Sequence, residues 1–184
     1  HSLFRTISKK TFTVTKTEKI SDVFSKAFNL SMSPRRGPVH INLPRNILSR
    51  SSKFKINTNE KSYKTDVSKK GNNNDIKKIV NILRKSSKPV IVVGGGIKYN
   101  GKYEEVTNLA KLLDVPMVTS AGHGDAIPFD YKLNAGQMGP RGNPLATKLV
   151  KEADVILALG TRLGFNSTFY SYENINKKAK IIQV

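Results

Sequence analysis

The sequence predicts an α/β protein: a parallel sheet with helices on both faces, preceded by a helix–strand remnant of another α/β domain. From residue 75 onward, short runs of β-branched and other apolar residues alternate with segments of helical apolar spacing. Most connections between these segments are short, which is typical of parallel strands joined by crossover helices. A chain of 184 residues with 38% hydrophobic residues is long enough for one such domain and part of another.

Residues 1–48 are interpreted as the C-terminal part of a domain. Residues 11–15 alternate like a short strand, and residues 39–43 form a second strand. Between them a helix is predicted behind a cap at Ser21 and Asp22. Its apolar positions recur at helical spacing and are Ile20, Val23, Phe24, Ala27 and Phe28. Two strands and one helix are too few to bury a core alone. We therefore expect them to complete a larger sheet.

Residues 49–74 are polar and rich in Lys, Ser and Asn, which predicts a linker. The net charge of +19 raises a basic nucleic-acid-binding module as an alternative for the protein. However, Lys outnumbers Arg 24 to 8 and only 8% of the residues are aromatic, which favours a solvated basic surface. We therefore expect no nucleic-acid partner.

Residues 75–184 are predicted to form the second domain, truncated at its C-terminal end. Its strands are predicted at Pro89–Val93 and at residues 116–119, 154–159 and 181–184. Three sets of apolar residues at helical spacing predict its helices. The first set is Ile76, Ile79, Val80 and Leu83, behind a cap at Asn74-Asp75. The other two sets are Val106, Leu109, Ala110 and Leu113, and Leu145, Leu149 and Val150. Residues 120–143 have no apolar period and are predicted to be a Gly-rich loop.

In open parallel sheets, ligands bind beyond the carboxyl ends of the strands. The candidate site therefore comprises Gly94, Gly95 and Gly96, then Thr119 to Gly124, then Gly160, Thr161 and Arg162. The three consecutive glycines are expected to expose amides that an anion can approach closely, although they can equally serve tight strand-to-helix packing. The dinucleotide fingerprint G-x-G-x-x-G is absent, because Tyr99 stands where its third glycine belongs.

Three further features at this edge have two interpretations each. Arg162 follows a strand directly, so its guanidinium either holds a diphosphate or a flat ring, or pairs with an acid at the surface. His123 and Asp125 have the spacing of a general base and its orienting acid, but a loop histidine bonded to backbone is the commoner case. Residues 137–142 form a partly cationic loop that either covers a ligand or only connects.

Several functional classes are excluded by composition. The chain has no Cys and only three His, which excludes disulfide scaffolds, cysteine-ligated metals and thiol nucleophiles. The apolar runs are far shorter than the roughly 20 residues of a membrane-spanning helix, so no membrane partner is expected. A reducing cytoplasm is the default location. The chain opens at His1 without an initiator Met and stops in an apolar run, so both ends are expected to be cuts through a longer protein.

Four segments in order resemble thiamine diphosphate enzymes of the acetolactate synthase type. Residues 37–45, GPVHINLPR, are similar to the end of the pyrimidine-binding domain of that family. The other segments resemble its central, Rossmann-like domain: KPVIVVGGG at 88–96, DVPMVT at 114–119 and ADVILALGTR at 153–162. Residues 122–128 and 159–163 look closest to the sulfoacetaldehyde acetyltransferase branch. The residues after Arg162 depart from the synthase pattern, with LGFNS in place of its acidic and basic residues.

The resemblance implies a carboligase or decarboxylase acting on a 2-oxo acid, with sulfoacetaldehyde acetyltransferase as the alternative. It implies thiamine diphosphate and Mg²⁺ held outside this chain, with the catalytic glutamate upstream of His1 and the metal motif downstream of Val184. The chain itself then has no catalytic or metal-binding residue and is inactive alone. FAD or ADP is implied in the central domain, at Gly94, Gly95, Gly96, Thr119 and Arg162.

The resemblance also implies a cytoplasmic homodimer or homotetramer whose partner is a small-molecule substrate. A different class of function stays open, in which the central domain only bridges the catalytic domains and binds no nucleotide.

Overall fold

The computed structural model describes residues 2–33, 36–53, 70–168 and 172–184. The chain divides into two compact units, residues 1–70 and residues 71–184. Most of the linker predicted at 49–74 lies outside the described residues.

The first unit is built around a parallel strand–helix–strand motif. Its strands β1 (Lys10–Thr13) and β2 (Val39–Asn42) pair in parallel, with Lys10 opposite Val39 and Thr13 opposite Asn42. The other elements are helix α1 (Ile20–Met32), the one-turn helix α2 (Arg45–Leu48) and 3₁₀ turns at Ser2–Arg5 and Thr17–Lys19. Since a parallel pair needs a crossover connection, α1 returns the chain to the starting edge of the sheet.

The cap predicted for the first helix is wrong. Helix α1 begins at Ile20, and its N-cap is Lys19, which makes no side-chain capping bond. Ser21 and Asp22 therefore lie inside the first turn. The 3₁₀ turn Thr17–Lys19 runs directly into α1, and this turn, rather than a polar cap, sets where the helix starts.

The second unit is a five-stranded parallel sheet with helices on both faces, in the strand order β5-β4-β3-β6-β7. The predicted fold class is confirmed. The strands are β3 (Pro89–Val93), β4 (Met117–Thr119), β5 (Asn134–Gln137), β6 (Val155–Leu159) and β7 (Lys180–Gln183). The helices are α3 (Asn73–Arg84), α4 (Gly95–Asn100), α5 (Tyr103–Leu113), α6 (Pro144–Glu152) and α7 (Phe165–Thr168).

Three elements of this unit are absent from the sequence prediction, and one cap is displaced. Strand β5 lies within the segment predicted as loop, and the short helices α4 and α7 follow β3 and β6. Strand β5 reads Asn-Ala-Gly-Gln, without a β-branched residue, and it pairs with β4 through an irregular register. The N-cap of α3 is Asn72, whose side chain accepts from the Asn74 amide, two residues before the predicted position.

The two central strands are buried on both faces, as their continuous apolar sequences predict. On one face, Val90, Val92 and Ile156 pack with Ala146 and Val150 of α6. On the other face, Ile91, Val93 and Leu157 pack with Val106 and Ala110 of α5. These two cores fix the direction of β3 and β6, and so fix where the loops after them emerge.

No helix of the described ranges combines the length and the apolar character needed to cross a membrane.

Asp154 ties the amino ends of the central strands together. Its carboxylate accepts hydrogen bonds from the Ser86 hydroxyl, from the Ser87 amide at 2.7 Å and from the Lys88 amide at 3.1 Å. Its backbone carbonyl accepts from the Lys180 amide at 2.9 Å, at the start of β7. The hydrogen bond from Ser86, followed by those from the two amides, lowers the pKa of this carboxyl below its usual range.

We predict that Asp154→Asn destabilises the protein by about 1 kcal/mol at neutral pH, because a neutral amide is a weaker acceptor for these donors. Glu152→Gln is the matched control: Glu152 is an exposed neighbour in surface ion pairs with Lys88 and Lys148, and its change is expected to stay within about 0.5 kcal/mol. Thermal unfolding of the two variants measures the difference.

The pH dependence has a defined sign. Because the folded-state pKa of Asp154 is lowered, its stabilisation is present above the ordinary aspartate pKa of about 3.9 and is lost as the pH falls through the folded value. The deficit of Asp154→Asn should therefore shrink in acid. A deficit that stays constant down to strongly acidic pH, or one equal to that of Glu152→Gln, would contradict this role.

Candidate functional site

A cavity of about 360 Å³ lies at the carboxyl edge of the sheet of the second unit. The loops that form it follow β4, β3 and β6, which are neighbours in the sheet. The lining residues come from α4, from the loop after β4, and from the segment after β6 as far as α7. They are Gly95, Gly96, Tyr99, Ser120, Ala121, His123, Gly160, Thr161, Arg162, Gly164, Phe165, Asn166 and Ser167.

The structure brings together most of the predicted site. Gly95, Gly96 and Arg162 line this one cavity, as the topology argument predicts. Gly94 and Thr119 do not contribute to its wall. Thr119 is buried, and its Oγ1 atom has no hydrogen-bond partner among the described residues. Thr119 directly precedes Ser120, which does line the cavity.

Two of the three glycine amides are used within the protein, contrary to the expectation that they face an anion. The Gly94 amide donates to the Leu159 carbonyl at 2.9 Å, and the Gly96 amide donates to the Gly160 carbonyl at 2.8 Å. A methyl group on Gly94 would lie 2.5 Å from the Thr161 Cβ, and one on Gly96 would lie 2.8 Å from the Gly160 Cα. These two glycines therefore serve close packing between the loops after β3 and β6.

Gly95 has a different neighbour. A methyl group there would meet the imidazole ring of His123, with the nearest ring atom at 2.6 Å. The His123 backbone amide donates to the Ser120 carbonyl at 3.0 Å, so the turn after β4 places the ring against α4. The His123 ring therefore forms part of the cavity wall, next to Gly95.

The Asp125 carboxylate does not pair with His123, which was one of the two interpretations of their spacing. Asp125 forms an ion pair with Lys98 of α4. The hydrogen bond from Lys98 lowers the pKa of Asp125, and the same bond raises the pKa of Lys98. This carboxylate therefore fastens the turn Gly124–Ala126 to α4.

Among the described residues that line the cavity, Arg162 is the one with a cationic Lys or Arg side chain. Its side chain is exposed, and it makes no ion pair or hydrogen bond with the residues that the structure describes. No described residue that lines the cavity carries a carboxylate, so the guanidinium has no acid to neutralise it there. Within the described ranges, Arg162 is therefore not paired with an acid.

Sequence reasoning missed the lining residues on the short helices. Tyr99 of α4 is 60% exposed at the cavity, and Phe165, Asn166 and Ser167 come from α7. Each helix follows a central strand within a few residues. Closeness to the carboxyl end of a strand was therefore the feature of the sequence that could have identified these lining residues. Ser167 is buried and accepts a hydrogen bond from the Ala121 amide at 3.0 Å, which joins α7 to the loop after β4.

Within the described residues, no group of three or more His, Cys, Asp or Glu side chains is arranged to hold a metal ion.

Comparison with known proteins matches residues 76–184 to the family described as thiamine pyrophosphate enzyme, central domain. The chain is 38% identical over 168 residues to the acetolactate synthase large subunit of Buchnera aphidicola subsp. Schlechtendalia chinensis, which covers 89% of this chain and 29% of that protein. It is 33% identical over 165 residues to the probable acetolactate synthase large subunit of Methanocaldococcus jannaschii, covering 87% of this chain and 28% of that protein.

A third relative is the sulfoacetaldehyde acetyltransferase of Alcaligenes xylosoxydans xylosoxydans, 30% identical over 184 residues, with 99% of this chain and 30% of that protein covered. The chain thus spans less than a third of the length of these relatives. The matches confirm the resemblance to the thiamine diphosphate enzyme family and to its central domain.

We predict different costs for adding one methyl group at each of two adjacent cavity glycines. Gly96→Ala is expected to destabilise the protein by about 2 kcal/mol, because the methyl group meets the Gly160 backbone, which cannot rotate away. Gly95→Ala is expected to cost less than about 1 kcal/mol, because the His123 ring can turn. Thermal unfolding of both variants decides the point. Equal losses, or a greater loss for Gly95→Ala, would mean that the loops after β3 and β6 are not packed as described.

Proposed function

Because this chain belongs to the thiamine pyrophosphate enzyme family, as its central domain, we propose that it is the central portion of an acetolactate synthase-like enzyme. The reaction proposed is carboligation or decarboxylation of a 2-oxo acid. The observation that carries the proposal is the 38% identity to an acetolactate synthase large subunit over 89% of this chain. The family resemblance further suggests a cytoplasmic homodimer or homotetramer.

Thiamine diphosphate, bound with Mg²⁺ by other parts of the protein, supplies the chemistry at the 2-oxo carbon. No residue of this chain is proposed to hold either group. The role of this domain is to position a nucleotide, FAD or ADP, and to hold the surrounding loops in place.

The cavity at the carboxyl edge fits a nucleotide in three respects. Its volume of about 360 Å³ lies in the usual range of small-molecule sites. Arg162 offers an unneutralised guanidinium for a diphosphate, and the exposed Tyr99 ring offers a surface on which a base can stack. Gly95 and Gly96 leave backbone rather than side chain at the wall, so a ligand can approach closely.

Sulfoacetaldehyde acetyltransferase is the second candidate. It is supported by the 30% identity to a sulfoacetaldehyde acetyltransferase over 99% of this chain. The two candidates differ in substrate and share the thiamine diphosphate dependence. Substrate assays distinguish them.

We expect the full-length enzyme to consume pyruvate in a reaction that requires thiamine diphosphate and Mg²⁺. Initial rates with pyruvate and with sulfoacetaldehyde, with and without thiamine diphosphate, identify the substrate. Consumption of sulfoacetaldehyde alone would support the second candidate. Lack of turnover of both substrates in the thiamine diphosphate-loaded enzyme would refute the proposed activity.

We predict that Arg162→Gln weakens nucleotide binding by the full-length enzyme at least about tenfold, because a charge-assisted contact is lost. Arg84→Gln is the matched control, since Arg84 lies exposed in the last turn of α3 and does not line the cavity. Titration of ADP by calorimetry gives both affinities. If the wild-type enzyme binds ADP and the two variants bind it equally well, Arg162 is not the anion contact.

A further inference from the structure

A separate cavity, of about 330 Å³, lies at the amino edge of the sheet of the second unit. Its lining comes from the end of α3, from the turn that follows α3, and from the segments that enter β6 and β7. The lining residues are Asn81, Ile82, Lys85, Ser86, Asp154, Val155, Lys178 and Lys180. Val155 opens β6, whereas Gly160, which lines the cavity around Arg162, follows its end. A strand of five residues spans roughly 16 Å, so the two cavities are distinct.

Three lysines line the cavity at the amino edge. Lys85, Lys178 and Lys180 are exposed, and their ammonium groups form no ion pair or hydrogen bond with the residues that the structure describes. Glu152, an acid of the same edge, is engaged by Lys88 at 3.2 Å and does not line the cavity. Like charges gathered at one cavity repel one another, so an anion is the ligand that this lining attracts.

The acid of the described lining, Asp154, is already used as an acceptor within the chain. Its carboxylate accepts hydrogen bonds from the Ser86 hydroxyl, from the Ser87 amide at 2.7 Å and from the Lys88 amide at 3.1 Å. Asp154 therefore holds the turn after α3 in place. Its single negative charge leaves the three lysines of the lining in excess.

The segment that carries Lys178 and Lys180 is fastened to the start of β6. The Lys180 amide donates to the Asp154 carbonyl at 2.9 Å. The Lys178 amide donates to the Asn176 side chain at 3.0 Å, and the amide group of that side chain donates to the Ala153 carbonyl at 2.9 Å. Two of the three cations thus extend from a fixed backbone, which reduces the entropy lost on binding.

The third cation, Lys85, is the C-cap residue of α3. Its amide donates to the Ile82 carbonyl at 3.2 Å, and the Ser86 amide donates to the Leu83 carbonyl at 3.1 Å. These bonds satisfy two carbonyls at the helix end, which reduces the negative potential that the end of α3 places beside the cavity. Because the Ser86 hydroxyl bonds to Asp154, the backbone next to Lys85 is also fastened to the start of β6.

We propose that the cavity at the amino edge binds a small polyphosphate anion, held by Lys85, Lys178 and Lys180. An ammonium group binds phosphate oxygens as a point charge with three donors, and three such groups match an anion that carries several charges. Among the described residues that line the cavity, none is aromatic, so no ring is offered there for a nucleotide base to stack on. The ligand is therefore a free polyphosphate rather than a nucleotide. This site does not depend on the nucleotide role proposed for the cavity around Arg162.

The test measures the binding of inorganic triphosphate to the full-length enzyme by calorimetry. Because this chain has a net charge of +19, non-specific attraction of anions is the main alternative, so the variants compared lose the same charge. Lys178→Gln/Lys180→Gln removes two cations of the cavity, and Lys19→Gln/Lys26→Gln removes two exposed lysines of the first unit. We expect the first double variant to weaken triphosphate binding at least about tenfold, and the second less than about twofold. The unfolding temperatures of both should match that of the wild type, because all four side chains are exposed.

Two further variants complete the experiment. Arg162→Gln should change triphosphate affinity less than about twofold, since Arg162 lines the other cavity. If Lys178→Gln/Lys180→Gln lowers the unfolding temperature, Lys85→Gln is measured in its place, with an expected loss of affinity of at least about threefold.

Four results would overturn the proposal. Equal weakening by the two double variants would show non-specific attraction. A loss in Arg162→Gln as large as that in Lys178→Gln/Lys180→Gln would place the triphosphate in the nucleotide cavity. No binding of triphosphate by the wild type would remove the site. If Arg162→Gln binds ATP at least about tenfold more tightly than triphosphate, the assignment to a free polyphosphate is wrong.

Discussion

The candidate site depends on the contact between the loops that follow β3 and β6. The two strands pair in register, with Val93 opposite Leu159, so both chains leave the sheet at the same level. Gly94 and Gly96 then approach Gly160 and Thr161 so closely that a methyl group at either glycine would overlap the neighbouring loop. Gly160 itself has a φ of +59°, which favours glycine, and a methyl group there would lie 2.6 Å from the Ile97 amide nitrogen. This contact directs the chain after Gly160 along the cavity, and Arg162 therefore lies in the cavity wall.

Much of this arrangement could be predicted from the sequence because burial leaves a clear pattern. The runs that form β3 and β6 are continuously apolar since both of their faces are covered, and the helices α5 and α6 show apolar residues on one side. Once parallel strands are assigned, their carboxyl ends must lie at one edge. The convergence of Gly95, Gly96 and Arg162 follows from that topology without any knowledge of side-chain contacts.

The remaining features depend on contacts between distant parts of the chain. Strand β5 has only Asn, Ala, Gly and Gln, and its pairing with β4 supplies what its own sequence does not indicate. The helix α7 is a single turn and too short to show periodicity. The glycine amides were expected to face a ligand, but those of Gly94 and Gly96 donate to the carbonyls of Leu159 and Gly160, at and just after the end of β6. The sequence likewise could not show that Asp125 pairs with Lys98 instead of orienting His123.

The chemistry proposed for the site depends on the charge of Arg162. The proposal of an anionic nucleotide rests on the Arg162 guanidinium, which has no carboxylate beside it among the described residues that line the cavity. The most direct measurement is a crystal structure of the full-length enzyme soaked with ADP. We expect density for the diphosphate within hydrogen-bond distance of the Arg162 guanidinium, beside Gly95 and Gly96. Nucleotide density elsewhere in the protein, or Arg162 paired with a carboxylate of another domain, would contradict it.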